Sequence, residues 1–291
     1  MSSSTLRNSF AALLGIALTA SIFTGCDVKA SFKVGSFKKK EDAAAGKTDG
    51  ASAAKKESEL EKGFSAFEQK DYATAVKRFT TSAEEGNIEA QYMLAMCYGE
   101  GKGVEQDVAK SFEWALKSAE QGFSKAQFVV GMSYMGGGEG ISKDVGKGEQ
   151  WLKKSIDGLR KEAENGDAEA QAYLGLCYQE GLGGVEKDED QAIEWLRKAG
   201  EQGYSEAQFA IGVICMQERT RDEAVDWFRK AAENDSYEAM LFMGRIYENG
   251  MKNIKPDKAE AEKWYRKAAS GTDSTIVKEA KSSLNRLKKK K

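Results

Sequence analysis

Any covalent chemistry in this chain must come from carboxylates, lysine, tyrosine or cysteine, because its 291 residues contain no histidine. That absence removes Ser-His-Asp and Cys-His nucleophilic catalysis together with the commonest zinc and iron ligand. Four cysteines are present, Cys26, Cys97, Cys177 and Cys215, and none forms a Cys-x-x-Cys pair, so neither a dithiol redox motif nor a zinc ribbon is encoded. Gly101-Lys-Gly103 and Gly181-Leu-Gly183-Gly184 have the glycine density of a phosphate cradle. They recur at equivalent places with no strand before them, which marks them as turns. Carboxylates such as Glu84, Glu85 and Glu120 fall on solvated helix faces. With 44 Lys and Arg against 46 Asp and Glu, the net charge of -2 gives no overall pull toward nucleic acid. No catalytic residue, metal or cofactor is expected.

The cysteine placed for modification is Cys26. Residues 1–25 open with a polar stretch holding Arg7, run apolar from Phe10 to Phe23, and end in small residues, the layout of a secretory signal peptide. The apolar run is too short to span a bilayer easily. The junction Phe23-Thr24-Gly25-Cys26 resembles a bacterial lipobox. That resemblance implies that Cys26 carries a diacylglyceryl group as the mature N-terminus and that the protein is held in the cell envelope, facing the periplasm or exterior. An acidic Asp27 implies, by likeness to enterobacterial lipoproteins, retention in the inner membrane. Residues 26–57 turn to Lys, Ala, Gly, Ser and Asp without apolar period, including Lys38-Lys39-Lys40-Glu41-Asp42, and read as a disordered linker. About 30 such residues reach roughly 30 Å.

The elements beyond the linker declare themselves by repetition. An Ala-Gln step recurs at Ala90-Gln91, Ala126-Gln127, Ala170-Gln171 and Ala207-Gln208, with Ala239-Met240 as a fifth, variant copy. Four residues after each Ala stands an apolar side chain (Leu94, Val130, Leu174, Ile211, Met243) and one further on a small one (Ala95, Gly131, Gly175, Gly212, Gly244). The small position lets two helices of a hairpin touch. Tyr98, Tyr134, Tyr178 and Tyr247 follow at equivalent places, and all five tryptophans, Trp114, Trp151, Trp195, Trp227 and Trp264, fall in the second helix of a unit. Asp107, Asp144, Asp188 and Asp257 each sit where a second helix needs an N-cap. Gln191 and Glu260 are placed to complete capping boxes. The 30 glycines and single proline fit this regular punctuation. Gly122 and Gly203 are expected as left-handed helix ends.

Ala168-Glu-Ala-Gln171, Leu174-Gly175, Tyr178, Gly181-Leu-Gly183 and Ile193-Glu-Trp195-Leu-Arg-Lys-Ala199 resemble Sel1-like repeats. The resemblance covers about residues 58–271 and implies an all-α fold, a right-handed α-solenoid superhelix of antiparallel helix hairpins. The expected hairpins are 58–86, 88–122, 124–166, 168–203, 205–235 and 237–271, with 272–291 as a capping helix and basic tail. The first resembles a tetratricopeptide hairpin, Gly63-x-x-Ala66-Phe67 leading to Asp71-Tyr72 and Phe79. The third is seven residues longer than the fourth between its Trp and closing Gly, predicting a protruding second helix near Gly158–Asn165. The fifth has lost its glycine turn.

The resemblance also implies the role, a scaffold binding a protein or peptide partner, anchored through its N-terminal lipid. By analogy with tetratricopeptide grooves the contact positions are Tyr92, Met96, Phe128, Met132, Gln179, Phe209, Arg245 and Glu248. The same apolar positions also suit packed core. A β-lactam-binding or peptidoglycan-directed activity, found in cysteine-rich relatives with a disulfide in each repeat, is the alternative. One cysteine per repeat here cannot form that bridge.

Overall fold

The structure, a computed structural model, describes residues 58–217, 221–251, 253–271 and 274–289. The signal peptide, Cys26, Asp27 and the linker lie outside the described residues. Twelve helices form six successive hairpins: α1 (Glu59–Glu68) with α2 (Tyr72–Glu84), α3 (Ile88–Glu100) with α4 (Val108–Glu120), α5 (Ser124–Gly136) with α6 (Val145–Glu164), α7 (Ala168–Glu180) with α8 (Glu189–Glu201), α9 (Ser205–Gln217) with α10 (Arg221–Glu233), and α11 (Tyr237–Asn249) with α12 (Lys258–Ala268). A last helix, α13 (Ser274–Lys289), packs on α11 and α12. Each helix contacts its neighbours in sequence, so the chain is an all-α repeat solenoid.

First and second helices have different jobs. α3 buries Gln91, Tyr92, Met93, Leu94 and Ala95 consecutively, and α7 buries every residue from Glu169 to Cys177. By contrast α8 buries only Ala192, Leu196, Ala199 and Gly200, one stripe at helical spacing. The first helices are therefore an inner layer and the second helices a half-solvated outer one. The small positions do what their spacing predicts. A Cβ on Gly175 would stand 2.9 Å from Leu196 Cγ, and one on Gly244 2.5 Å from Tyr265.

The turns are held by repeated bonds. Asp107, Asp144, Asp188 and Asp257 cap their helices, each carboxylate accepting the backbone N–H three residues on. The reciprocal bonds expected at Asp188 and Asp257 do not form, the N–H of each cap going instead to a Tyr carbonyl, and Glu260 turns to Lys263 at 2.7 Å. The same aspartates donate their own N–H to Tyr98, Tyr134, Tyr178 and Tyr247 carbonyls at 2.7–2.9 Å. In Gly-x-Gly the second glycine is a contact with the previous hairpin: a Cβ on Gly103, at φ +73, would lie 2.3 Å from Tyr72 O. Gly122 and Gly203 close their hairpins at φ +95 and +92. The missing glycine turn of the fifth hairpin, residues 218–220, lies outside the described residues.

The third hairpin departs from expectation. α6 has 20 residues where α4 and α8 have 13, but its extra turns do not protrude. Leu159 and Ala163 are buried. Gly158 makes this possible, since a Cβ there would meet Ser124 Cβ at 2.6 Å; without one, α6 runs on past the start of α5. Glu162 then accepts a bond from Ser124 Oγ at 2.5 Å. That places a carboxylate at the first turn of a helix whose N-cap, Phe123, has no side-chain bond to offer.

Candidate interaction surface on the inner helices

The Ala-Gln step that reveals the repeat also joins one hairpin to the next. Gln91, Gln127, Gln171 and Gln208 each donate Nε2 to the carbonyl eight residues back, on Ala83, Ala119, Ala163 and Gly200, at 2.8–3.2 Å. These carbonyls end the preceding second helix, where intrahelical partners run out. Gln121, Gln202 and Asn234 then donate to the Oε1 of Gln91, Gln171 and Gln208. The fifth copy has Met240 and cannot make this bond.

Two first helices, α3 and α7, meet across α5. Tyr92 on α3 donates its hydroxyl to Glu169 Oε1 at 2.6 Å, Tyr173 donates to the same oxygen at 3.0 Å, and the two hydroxyls lie 3.2 Å apart. Lys125 on α5 sits 3.1 Å from both Asp167 and Glu169, and Phe128 stacks on Tyr173 at 4.3 Å. Contact between helices two hairpins apart requires the array to bend with its first helices inward. Burial alone would lower the Lys125 pKa, yet the Glu169 and Asp167 carboxylates hold it above the usual lysine range. Burial, then Glu169, raises the Tyr92 and Tyr173 phenols far above theirs.

Around this cluster stands a row of carboxylates at one repeat position, just before each Ala: Glu89, Glu169, Glu206 and Glu238, with Lys125 in the second copy. Burial, reinforced by Asp167, Glu162 and Glu169 against the pull of Lys125, raises Glu89. At Glu206, burial and then Glu100 and Glu238 push the carboxyl up to about 8, although Ser205 Oγ lies 3.0 Å from it. The signal was legible as the Glu of Ala-Glu-Ala-Gln. Its convergence depends on the bend.

The eight groove positions do not form one open surface. Tyr92, Phe128, Met132 and Phe209 are buried among neighbouring helices. Arg245 pairs with Glu279 of α13, and Glu248 accepts from Arg286 Nη2 at 2.6 Å and from Tyr265 OH at 2.9 Å. Met96 and Gln179 remain half-buried, and Gln179 Oε1 has no hydrogen-bond partner. Cys97, Cys177 and Cys215 are buried, one to a hairpin; burial pushes the Cys97 and Cys177 thiols up to about 12, away from nucleophilic chemistry. Among the described residues no group of three or more acidic or cysteine side chains is placed to hold a metal, and no helix is long and apolar enough to cross a membrane.

A family model described as the Sel1 repeat matches residues 88–123, 124–158, 168–204, 205–236 and 238–273. Among curated proteins, chitin synthase regulatory factor 3 of Schizosaccharomyces pombe is 28% identical over 85 residues, 29% of this chain and 9% of that protein, so the chain spans only a small part of it. Among solved structures, a Sel1 repeat protein from Oxalobacter formigenes is 32% identical, with 75% of this chain and 84% of that one covered and a TM-score of 0.46. A protective antigen of uropathogenic Escherichia coli displaying an SLR fold is 27% identical, covering 79% and 56%, with a TM-score of 0.41. Matched by five repeats over more than half its length, the chain belongs to the Sel1 repeat family, a family of protein-interaction scaffolds.

Proposed function

We propose that this protein is a lipid-anchored scaffold of the bacterial cell envelope, tethered through Cys26 and facing the periplasm or exterior, that holds a protein partner near its membrane. Asp27 favours the inner membrane. The observation that carries the binding role is the division of labour within the repeats. Packing positions are generic, the Trp, the Gly or Ala of close approach and the capping Asp, while positions six and nine residues after each Ala vary. They read Met96, Met132, Leu176, Val213 and Arg245, then Gly99, Met135, Gln179, Met216 and Glu248. A scaffold built this way keeps its shape and differs in what it touches. The Sel1 scaffold is generally non-enzymatic, and the burial of the three thiols in the array supports a binding role.

The partner's seat is the inner edge near Met96 and Gln179, with Tyr92, Phe128, Met132 and Phe209 beneath it as support and Arg245 and Glu248 at the end covered by α13. A photo-crosslinking residue at Gln179, and separately at outer position Lys153, tests this in the native host. One protein captured from Gln179 and not from Lys153 is expected; equal capture from both positions, or none from either, rejects it. Fatty-acid labelling that disappears in Cys26→Ala is expected for the anchor, and labelling that persists rejects it.

A further inference from the structure

One lysine in each repeat of the outer layer is occupied. Each repeat tryptophan carries a lysine three residues on, its ammonium over the ring: Lys117 on Trp114, Lys154 on Trp151, Lys198 on Trp195, Lys230 on Trp227 and Lys267 on Trp264, at 3.8–4.4 Å from the centroid. Those on the outer face of α13 are not. Lys278, Lys281 and Lys289 are exposed and make no ion pair among the described residues, while the exposed Lys288 acts on Glu262 of α12. Glu279, the one carboxylate of this helix, is drawn aside to Arg245, while Arg286 is taken by Glu248.

At 100° per residue, Lys278, Lys281, Ser282, Asn285 and Lys289 share the face opposite the packed stripe of Ile276, Ala280, Ser283 and Leu287. The result is a basic strip about 17 Å long, with a shallow hollow between Val277, Lys281 and Asn285. It carries no aromatic side chain for bases to stack on. The rest of the array has the opposite sign. Residues 58–257 carry 24 basic against 37 acidic side chains, whereas residues 258–291 carry 11 against 4. An anionic surface would repel the body of the array and attract this end of it.

We propose that the outer face of α13 docks on anionic lipid headgroups, so that the C-terminal end of the array lies against a membrane. The assignment to lipid, among anionic surfaces, rests on the envelope-anchor reading above. Lysines grouped in this way act on such surfaces by charge alone, each adding to binding until salt screens it. Ser282 and Asn285 supply hydrogen-bond donors to phosphate within the strip.

The test uses residues 26–291 with Cys26→Ala, which keeps the described fold and carries no lipid, sedimented with phosphatidylcholine vesicles containing or lacking phosphatidylglycerol. Binding to the anionic vesicles only, lost in high salt, is expected. Combined Lys278→Gln, Lys281→Gln, Lys288→Gln and Lys289→Gln should weaken it at least about a hundredfold with the melting temperature unchanged. The same charge removed through Lys77→Gln, Lys143→Gln, Lys153→Gln and Lys161→Gln should leave binding nearly intact. Equal binding by the two quadruple variants, or to neutral vesicles, overturns the proposal. So does a single-stranded RNA that competes the protein off the vesicles at matched charge. Vesicle binding by this unlipidated chain is read independently of fatty-acid labelling at Cys26, so failure of the anchor and failure of the docking face are separate results.

Discussion

The inner faces of the third and fourth hairpins and of the last one are both closed, by opposite means. In the middle of the array a buried cluster spans three first helices, with Tyr92, Lys125, Glu169 and Tyr173 almost wholly removed from water. At the end a separate helix covers α11 through two Arg–Glu pairs whose arginines remain partly exposed. The first arrangement cannot lose a member without stranding a buried charge. The second is a clasp at the rim, where water replaces part of what is lost.

Lys125→Met should break the middle most severely. It leaves Glu169, with 6% of its side chain exposed, without its cation, and a loss of about 3–5 kcal/mol is expected in urea unfolding. Lys281→Met, at the end, should change stability by less than about 0.5 kcal/mol; comparable losses would show that the two regions do not differ as described. Arg286→Ala comes next. It takes the cation from Glu248, 5% exposed, at about 1–3 kcal/mol, and hydrogen exchange should rise within residues 274–289 while residues 88–180 stay protected. Tyr92→Phe removes one of two donors to a single carboxylate oxygen. About 1–2 kcal/mol is expected, with Tyr92→Phe and Tyr173→Phe combining non-additively.

The smallest effect is a pH dependence. Glu206 is raised to about 8 in the fold, above an unfolded value near 4.3. Its ionised form is therefore penalised only in the native state, so wild-type stability falls as pH rises between those values. Glu206→Gln should melt like wild type at pH 4 and be more stable at pH 9, by on the order of 1 kcal/mol at this half-buried site. A difference that grows toward low pH would reverse the assignment.

Much of this was legible because the repeats report the same contact several times. The capping aspartates, the glycines of close approach and the closing glycines follow from types at fixed spacing, and each is where that spacing places it. The role of the Ala-Gln step was visible as period and invisible as chemistry, since its acceptor is a carbonyl that no side-chain pattern marks. Least legible was the meeting of Tyr92 with Glu169, 77 residues apart. It crosses an intervening hairpin, and no spacing within a repeat marks it.

The bond between Tyr92 and Glu169 has a mechanical consequence. A solenoid whose hairpins touch only their neighbours can be peeled from one end, each unit yielding before the next is loaded. Pulled from Ser58, this one should shed its first hairpin and then stop. α3 cannot leave without separating from α7, so everything between must give way together, and a force–extension trace should show one large step among smaller ones.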